Sequence, residues 1–266
     1  MSSTFTFGSY VAGTSALHRL DPRTKLLLGI AFLVLVLQAR DFTGLLPSLV
    51  AIVSLYACAR ITPARALRAL APTLGIVVLV SLLRLFTQQG GATLVSWGII
   101  EVSTGSLHAA ALTAARITLM MLGMALVTMV TPTLDLTEAL EALISPLARF
   151  GVPAHELGMI MGIALRFMPQ FATELANVYH AQISRGAALD GSPVKGLRML
   201  SSVTIPLFAS VFRHAETLSA AMDARCYHGE EGRTRLHPLR YSKFDAFAIA
   251  AFAVLVCGVV AVNVLL

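Results

Sequence analysis

Charge is scarce in this chain: 13% of its 266 residues are Asp, Glu, Lys or Arg, against 56% that are hydrophobic, and mean hydropathy is +0.78. A soluble domain carries roughly 25% charged residues, so the shortage excludes a water-soluble globule and indicates an integral membrane protein. Cysteine is rare as well. Cys58, Cys226 and Cys257 form no CxxC or other ligand spacing, so neither a disulfide framework nor a metal site is implied, and Cys58 and Cys257 fall in apolar runs where a buried thiol is expected.

Motifs for chemistry are missing too. No GxxxxGK[ST] occurs, so the chain cannot cradle nucleotide phosphates on a P-loop, and any ATP must be hydrolysed by another protein. HExxH fails because His155-Glu156 is followed by Leu157, Gly158 and Met159, and GxSxG does not occur. Asp135, Glu138 and Glu141 recur every third residue, but with no second acidic cluster they read as solvated carboxylates favoured by a helix N-terminus. No catalytic constellation is present, and no cofactor is expected in this chain.

What is abundant is apolar sequence. Phe42–Ala59, Ile117–Leu134 and Ala246–Leu266 are uncharged and each is long enough, at about 18 residues or more, to cross a bilayer as helix. Leu26–Ala39 and Ala69–Leu83 reach spanning length once flanking Lys and Arg side chains snorkel. No signal peptide is expected, because the first 25 residues are polar and the run from Leu26 carries no small-residue cleavage site.

The net charge of +6 could suggest nucleic acid. In a membrane protein it marks cytoplasmic loops and anionic headgroups instead, so no nucleic-acid partner is expected. Arg19, Arg23 and Lys25 stand directly before the first span and place the N-terminus in the cytoplasm. The chain then leaves at Arg40–Asp41, returns to Arg60, Arg65 and Arg68, and crosses again over Ala69–Phe86. An outside loop follows, broken at Gln88–Gly91, and the fourth span, Ser106–Val130, ends at Thr131–Thr133. Inside these spans Arg84, His108 and Arg116 read as isolated polar residues.

From 133 to 243 the pattern changes. Nine of the twenty Lys and Arg lie between Arg185 and Lys243, too dense for spans. Leu136, Leu140, Leu143 and Leu147 form a helical stripe in Thr133–Phe150, and Ala154–Arg185 and Val194–Arg225 read as two helices of about 48 Å each, separated by Gly191–Pro193. Counting spans tests this assignment. Four spans before Pro132, one after Lys243 and everything between kept cytoplasmic satisfy both charge and parity. The expected organisation is therefore residues 1–132 with four transmembrane helices, a cytoplasmic helical domain over 133–243, and a last span over 244–266: an all-α polytopic protein with about five spans and an outside C-terminus.

Two stretches in that domain match. AQISRGAALDG and SAAMDARCYHG each end a helical run in a small residue and an arginine, Ser184-Arg185-Gly186 and Ala224-Arg225-Cys226. Gly186 can take the left-handed cap conformation. At the second site Cys226 stands where glycine is expected, so the cap is expected to slide to Gly229, one turn further on. Each guanidinium can pair bidentately with a carboxylate, and small neighbours let a partner backbone approach.

Tyr10–Leu28, Thr131–Phe171, these two arginine stretches, Ala164-Leu165-Arg166-Phe167 and Glu231–Arg235 together resemble the transmembrane coupling component of energy-coupling factor vitamin transporters, over most of the chain. GSYVAGTSALHRLDP most resembles the shared, multi-vitamin subgroup. The resemblance implies a multi-pass protein of the prokaryotic plasma membrane that joins one small substrate-binding membrane subunit to two cytoplasmic ABC-type ATPases, which bind ATP and Mg²⁺. It implies further that Ser184, Arg185, Gly186, Ala224, Arg225 and Cys226 dock in the ATPases. The apolar, Met-bearing faces carrying Met159, Ile163, Phe167, Met168, Phe171 and Met199 would then grip the substrate subunit.

Two other classes of function make different demands on the sequence. A membrane-embedded enzyme needs paired polar residues inside its spans, and a permease binding substrate itself needs internal repeats or broken helices. Neither signal is found.

Overall fold

The computed structural model describes residues 10–87, 90, 93–97, 100–186, 193–229, 239 and 241–265; the Glu231–Arg235 run and Ala187–Ser192 lie outside them. Two compact units are seen: one takes in the described residues of Leu140–His237, the other those of Gly8–Ala139 and Pro238–Leu266.

The second unit is a helical bundle. Helix α1 (Pro22–Gln38) starts where LDP dictates: Asp21 accepts from the Arg23 N–H at 2.9 Å, and Pro22 fills the first position, whose N–H has no helical partner in any case. Helix α2 (Phe42–Ala59) follows. Next come α3 (Pro63–Leu70), a 3₁₀ turn at Ala71–Thr73 and α4 (Leu74–Thr87), the break falling at Pro72, which cannot donate to the helical ladder. The loop expected after Gln88 contains a two-stranded antiparallel hairpin, β1 (Thr93–Trp97) with β2 (Ile100–Ser103). Ser103 and Ser106 then form a reciprocal capping box, at 2.9 and 3.1 Å, that opens α5 (Thr104–Val130). Helix α9 (Lys243–Leu265) closes the chain.

Among the described residues four helical segments are long and apolar enough to cross a membrane: Phe42–Ala59, Pro63–Thr87, Thr104–Val130 and Lys243–Val264. Helix α1, at 17 residues, sits at the short limit of a span. The bundle encloses a few polar side chains beside its apolar core and turns other apolar ones outward. Ser48 and Ser106 are fully enclosed and Asp245 is 1% exposed, whereas Leu46, Val50, Val53 and Leu79 face out. Such exposure is stable only in lipid. It also corrects the expectation for Cys58 and Cys257, which are exposed because they occupy the outward faces of their helices.

Where helices touch, small residues take large ones. A Cβ on Gly29 of α1 would meet Val127 of α5 at 2.8 Å, and one on Gly123 of α5 would meet Phe32 of α1 at 2.6 Å. Each helix thus supplies a gap for the other's side chain, the packing that substitutes for hydrophobic drive in a bilayer. Phe32, Val36, Leu45, Ile52, Leu119 and Leu126 form the core between α1, α2 and α5.

Hydrogen bonds fix the helix directions. At one end of the bundle the Asp21 N–H donates to Asp245 Oδ1 at 2.8 Å, and Lys25 Nζ donates to the Val130 carbonyl at 3.4 Å. At the other, Asn263 Nδ2 donates to the Gln38 carbonyl at 3.2 Å, and the Arg40 N–H to Asn263 Oδ1 at 3.5 Å. Helices α1 and α9 therefore run parallel, with α5 antiparallel to both.

The first unit is carried by two helices of 31 residues, α7 (Ala154–Ser184) and α8 (Pro193–Asp223). Helix α6 (Thr133–Ile144) and a 3₁₀ turn at Ser145–Phe150 lead into them, and the division between the two units falls inside α6. Glu141 is not the solvated carboxylate expected from its spacing: its Oε1 lies 3.3 Å from His155 Nδ1, and a Cβ on Gly158 would collide with its side chain.

Candidate functional site: two arginine helix ends

Helix α7 stops at Ser184 because Arg185 leaves helical geometry (φ −87°, ψ 7°) and Gly186 turns left-handed at φ +85°. The Gly186 N–H donates to the Ile183 carbonyl at 2.9 Å, closing the last turn. Ser184 folds its hydroxyl back onto the His180 carbonyl at 3.0 Å, so the hydroxyl is satisfied within its own helix.

The second end has the same construction. Helix α8 stops at Asp223, and the Cys226 N–H donates to the Asp223 carbonyl at 2.9 Å while the Tyr227 N–H reaches the Met222 carbonyl at 3.1 Å. This is the paired bonding of a glycine-type helix stop. Cys226 makes the turn itself, at φ +55°. The expected slide of the cap to Gly229 does not occur: the two bonds already satisfy the last carbonyls, and they hold a non-glycine residue in the left-handed region. Gly229, at φ +93°, makes a separate later turn.

Arg185 and Arg225 thus occupy the same cap position of two helices. Both are exposed, and among the described residues neither side chain enters a hydrogen bond or ion pair.

The helices run antiparallel. Gln170 of α7 meets His214 of α8 at 3.3 Å, and the Ser210 hydroxyl donates to Glu174. A two-fold rotation that carries α7 onto α8 with a shift of forty residues exchanges these two contacts, 170 with 210 and 174 with 214, and carries Arg185 onto Arg225. Each arginine lies eleven residues beyond its helix's contact residue, Glu174 or His214, about 16 Å of helix. The pair therefore presents two equivalent cations at opposite ends, the arrangement that a two-fold partner can read twice.

The apolar residues separate by exposure. Met199 is 5% exposed and belongs to the interior of this unit. Met159 is half-buried and its sulfur accepts from the Tyr227 hydroxyl at 2.8 Å. Phe167 and Phe171, also half-buried, stack at 6.0 Å and both lie against His214. Ile163 is half-buried, and Met168 is exposed. The more open apolar stripe is on α8: Ile205, Phe208 and Phe212 are 69%, 57% and 65% exposed, and the two rings stack at 6.4 Å. Sequence reasoning passed over this stripe, although its i, i+3, i+7 spacing is legible in the sequence.

Comparison with known proteins follows the same lines. The family model described as cobalt transport protein, CbiQ, matches residues 13–236. A protein of Thermosediminibacter oceani named energy-coupling factor transporter transmembrane protein EcfT is 38% identical over 254 residues, 95% of this chain and 96% of that one. Proteins of the same name from Thermanaerovibrio acidaminovorans and Lactococcus lactis subsp. cremoris are 40% and 32% identical, over 97% and 93% of this chain and 96% and 94% of theirs. The chain belongs to this EcfT family.

It is accordingly a transmembrane component of an energy-coupling factor transporter and works within a complex with other components. Among the described residues no group of three or more His, Cys, Asp or Glu side chains is placed to hold a metal ion.

Proposed function

We propose that this component is a mechanical link with no chemistry of its own. Arg185 and Arg225 dock in acidic grooves of two ABC-type ATPases, with Ser184, Gly186, Ala224 and Cys226 keeping the surroundings small enough for close approach. ATP and Mg²⁺ are bound and turned over on those partners. Closure of the ATPases moves the antiparallel α7–α8 pair, and its apolar surface passes the motion to one small substrate-binding membrane subunit, whose cargo is a vitamin-class micronutrient. Met168 and the Ile205, Phe208 and Phe212 stripe are the open part of that surface; Phe167 and Phe171, stacked against His214, are half-buried.

The observation that carries the reading is the equivalence of two exposed, unpaired arginines at the same cap position of two helices related by a local two-fold. An exposed guanidinium with no partner in its own chain leaves its N–H donors open to another protein, and a lone cation at a helix end requires no twin. Membership of the family supports the same reading.

Orientation follows from charge. The end of the bundle where α1 begins carries Arg19, Arg23, Lys25, Arg60, Arg65, Arg68 and Lys243, against Arg40, Arg84 and Arg116 at the other. The positive-inside rule assigns the first end, and the N-terminus with it, to the cytoplasmic side of the plasma membrane.

The test is co-purification with transport. The wild-type component should bring two ATPase chains and one small membrane protein through purification and support ATP-driven uptake. Arg185→Ala with Arg225→Ala should abolish uptake while the component still inserts and folds. Normal uptake in the double variant would overturn the proposal.

A further inference from the structure

Arg60, Arg65 and Arg68 fall within nine positions, in a stretch with no Asp or Glu from 42 to 100. All three are exposed, and among the described residues none of the three side chains enters a hydrogen bond or ion pair. Two other cations at the end of the bundle where α1 begins are engaged within the chain: Lys25 Nζ donates to the His18 carbonyl at 3.0 Å, and Arg23 lies over the Tyr241 ring at 5.8 Å. Asp21 and Asp245 are engaged too, as acceptors of backbone N–H groups.

The fold fixes where the three arginines stand. Helix α2 ends in paired bonds, the Arg60 N–H donating to the Ala57 carbonyl at 3.1 Å and the Ile61 N–H to the Tyr56 carbonyl at 3.2 Å, with Ile61 buried. Arg60 itself makes the left-handed turn at φ +55°, where glycine fits freely and any Cβ is penalised. An arginine in such a position points to a task for its side chain. In α3, Ala66 and Ala69 pack against the core, which leaves Arg65 and Arg68, three residues apart, as neighbours on the helix surface. Like charges so placed repel unless an anion stands between them. The adjoining surface is apolar. Helix α3 leads through Ala71–Thr73 into α4, the apolar window of Pro63–Thr87 is 0% buried, and Leu67, Leu74, Val78 and Leu79 are each more than half exposed. The arginines thus stand at the end of a lipid-facing helix, at headgroup level.

We propose that Arg60, Arg65 and Arg68 form a binding surface for the headgroups of anionic phospholipids, with Leu67 and the start of α4 against the acyl chains. Guanidinium forks match the paired oxygens of a phosphodiester. Basic side chains beside exposed apolar area supply the two attractions that hold a segment at an anionic membrane surface. An acidic protein would answer the charge but not the apolar flank, which continues into a span. The inference requires only that α4 crosses the bilayer, and it does not depend on the docking role of Arg185 and Arg225.

The purified, delipidated full-length chain is titrated in detergent with phosphatidylglycerol and, as a zwitterionic control, with phosphatidylcholine of the same acyl chains; bound lipid is counted by native mass spectrometry. Phosphatidylglycerol should be retained in preference, and the preference should fall as salt is raised, because exposed charges are screened. Arg65→Gln with Arg68→Gln should weaken its retention about 25-fold, at roughly fivefold for each charge near the membrane surface. Arg60→Gly should weaken it about fivefold while the melting midpoint holds or rises, because glycine suits the left-handed turn. That variant keeps the test decisive if the double variant unsettles α3. A control with Arg149→Gln, Arg166→Gln and Arg213→Gln removes three charges from other exposed positions and should leave retention unchanged. Equal retention of the two lipids, wild-type retention in both the double variant and Arg60→Gly, or an equal loss in the control would overturn the proposal. Loss of co-purifying proteins with lipid retention unchanged would overturn it as well and assign the cluster to a protein interface.

Discussion

Gly186 and Cys226 occupy the same left-handed position one residue beyond two matched arginines, at φ +85° and +55°. Glycine takes that conformation freely; cysteine pays roughly 1 kcal/mol for its Cβ. Cys226→Gly should therefore raise the stability of the α7–α8 unit by about 1 kcal/mol and leave uptake intact, whereas Gly186→Ala should cost a similar amount. Thermal unfolding of the purified variants decides it, and a lower midpoint for Cys226→Gly would show that the thiol makes a contact worth more than the strain.

The exposed side chains of Arg185 and Arg225 make a second prediction about stability and function together. Truncating either should change folding by no more than about 0.5 kcal/mol, as for surface positions generally. Replacing either with lysine keeps the charge and loses the planar fork. If a groove carboxylate is gripped bidentately, each lysine variant should recover only part of ATP-coupled uptake; full recovery would mean that charge alone suffices.

Asp245 is enclosed and accepts from two backbone N–H groups, Asp21 at 2.8 Å and Ser242 at 2.6 Å. Removing a charged acceptor shared by two donors costs about 1.5–3 kcal/mol per bond. Asp245→Ala should thus destabilise the bundle by roughly 3 kcal/mol or more, with Asp245→Asn intermediate because it keeps one acceptor oxygen. Detergent-solubilised melting curves provide the measurement, and indifference to Asp245→Ala would remove this contact from the account of how α9 is held.

The reciprocal gaps at Gly29 and Gly123 predict coupling. Gly123→Ala forces a methyl group toward Phe32 and should cost about 1–3 kcal/mol; in a Phe32→Leu background the penalty should shrink. A double-mutant cycle reads the interaction directly, and simple additivity of the two changes would mean that the helices shift apart instead of clashing.

On the apolar stripe of α8, Phe208→Ser with Phe212→Ser should weaken co-purification of the small membrane subunit without releasing the ATPases. Both rings are more than half exposed, so their loss should leave folding almost untouched. Loss of the ATPases alone would place the stripe at a different interface.

Much of the architecture was legible in residue order. The expected span Phe42–Ala59 coincides with α2, and Ala154–Arg185 and Val194–Arg225 with α7 and α8 to within a residue or two, because length, periodicity and cap chemistry act locally. The hairpin after α4 was not legible, since strands of five and four residues are too short to show a period. Met199 and Met168 look alike in sequence, yet one is buried and the other exposed, because which face of an amphipathic helix is covered depends on its neighbour.

By itself, then, the sequence determined that this is a helical membrane protein, the extent of its two longest helices to within two residues, and which two arginines terminate that pair, since these depend on contacts within a few residues. Tertiary structure alone decided that Asp21 and Asp245 meet across 224 positions, that three scattered arginines share one cavity, and that Arg185 and Arg225 stand at opposite ends of an antiparallel pair. Those relations depend on how helices choose partners, and partner choice is set by the fit of side chains far apart in the chain, such as Gly123 beneath Phe32.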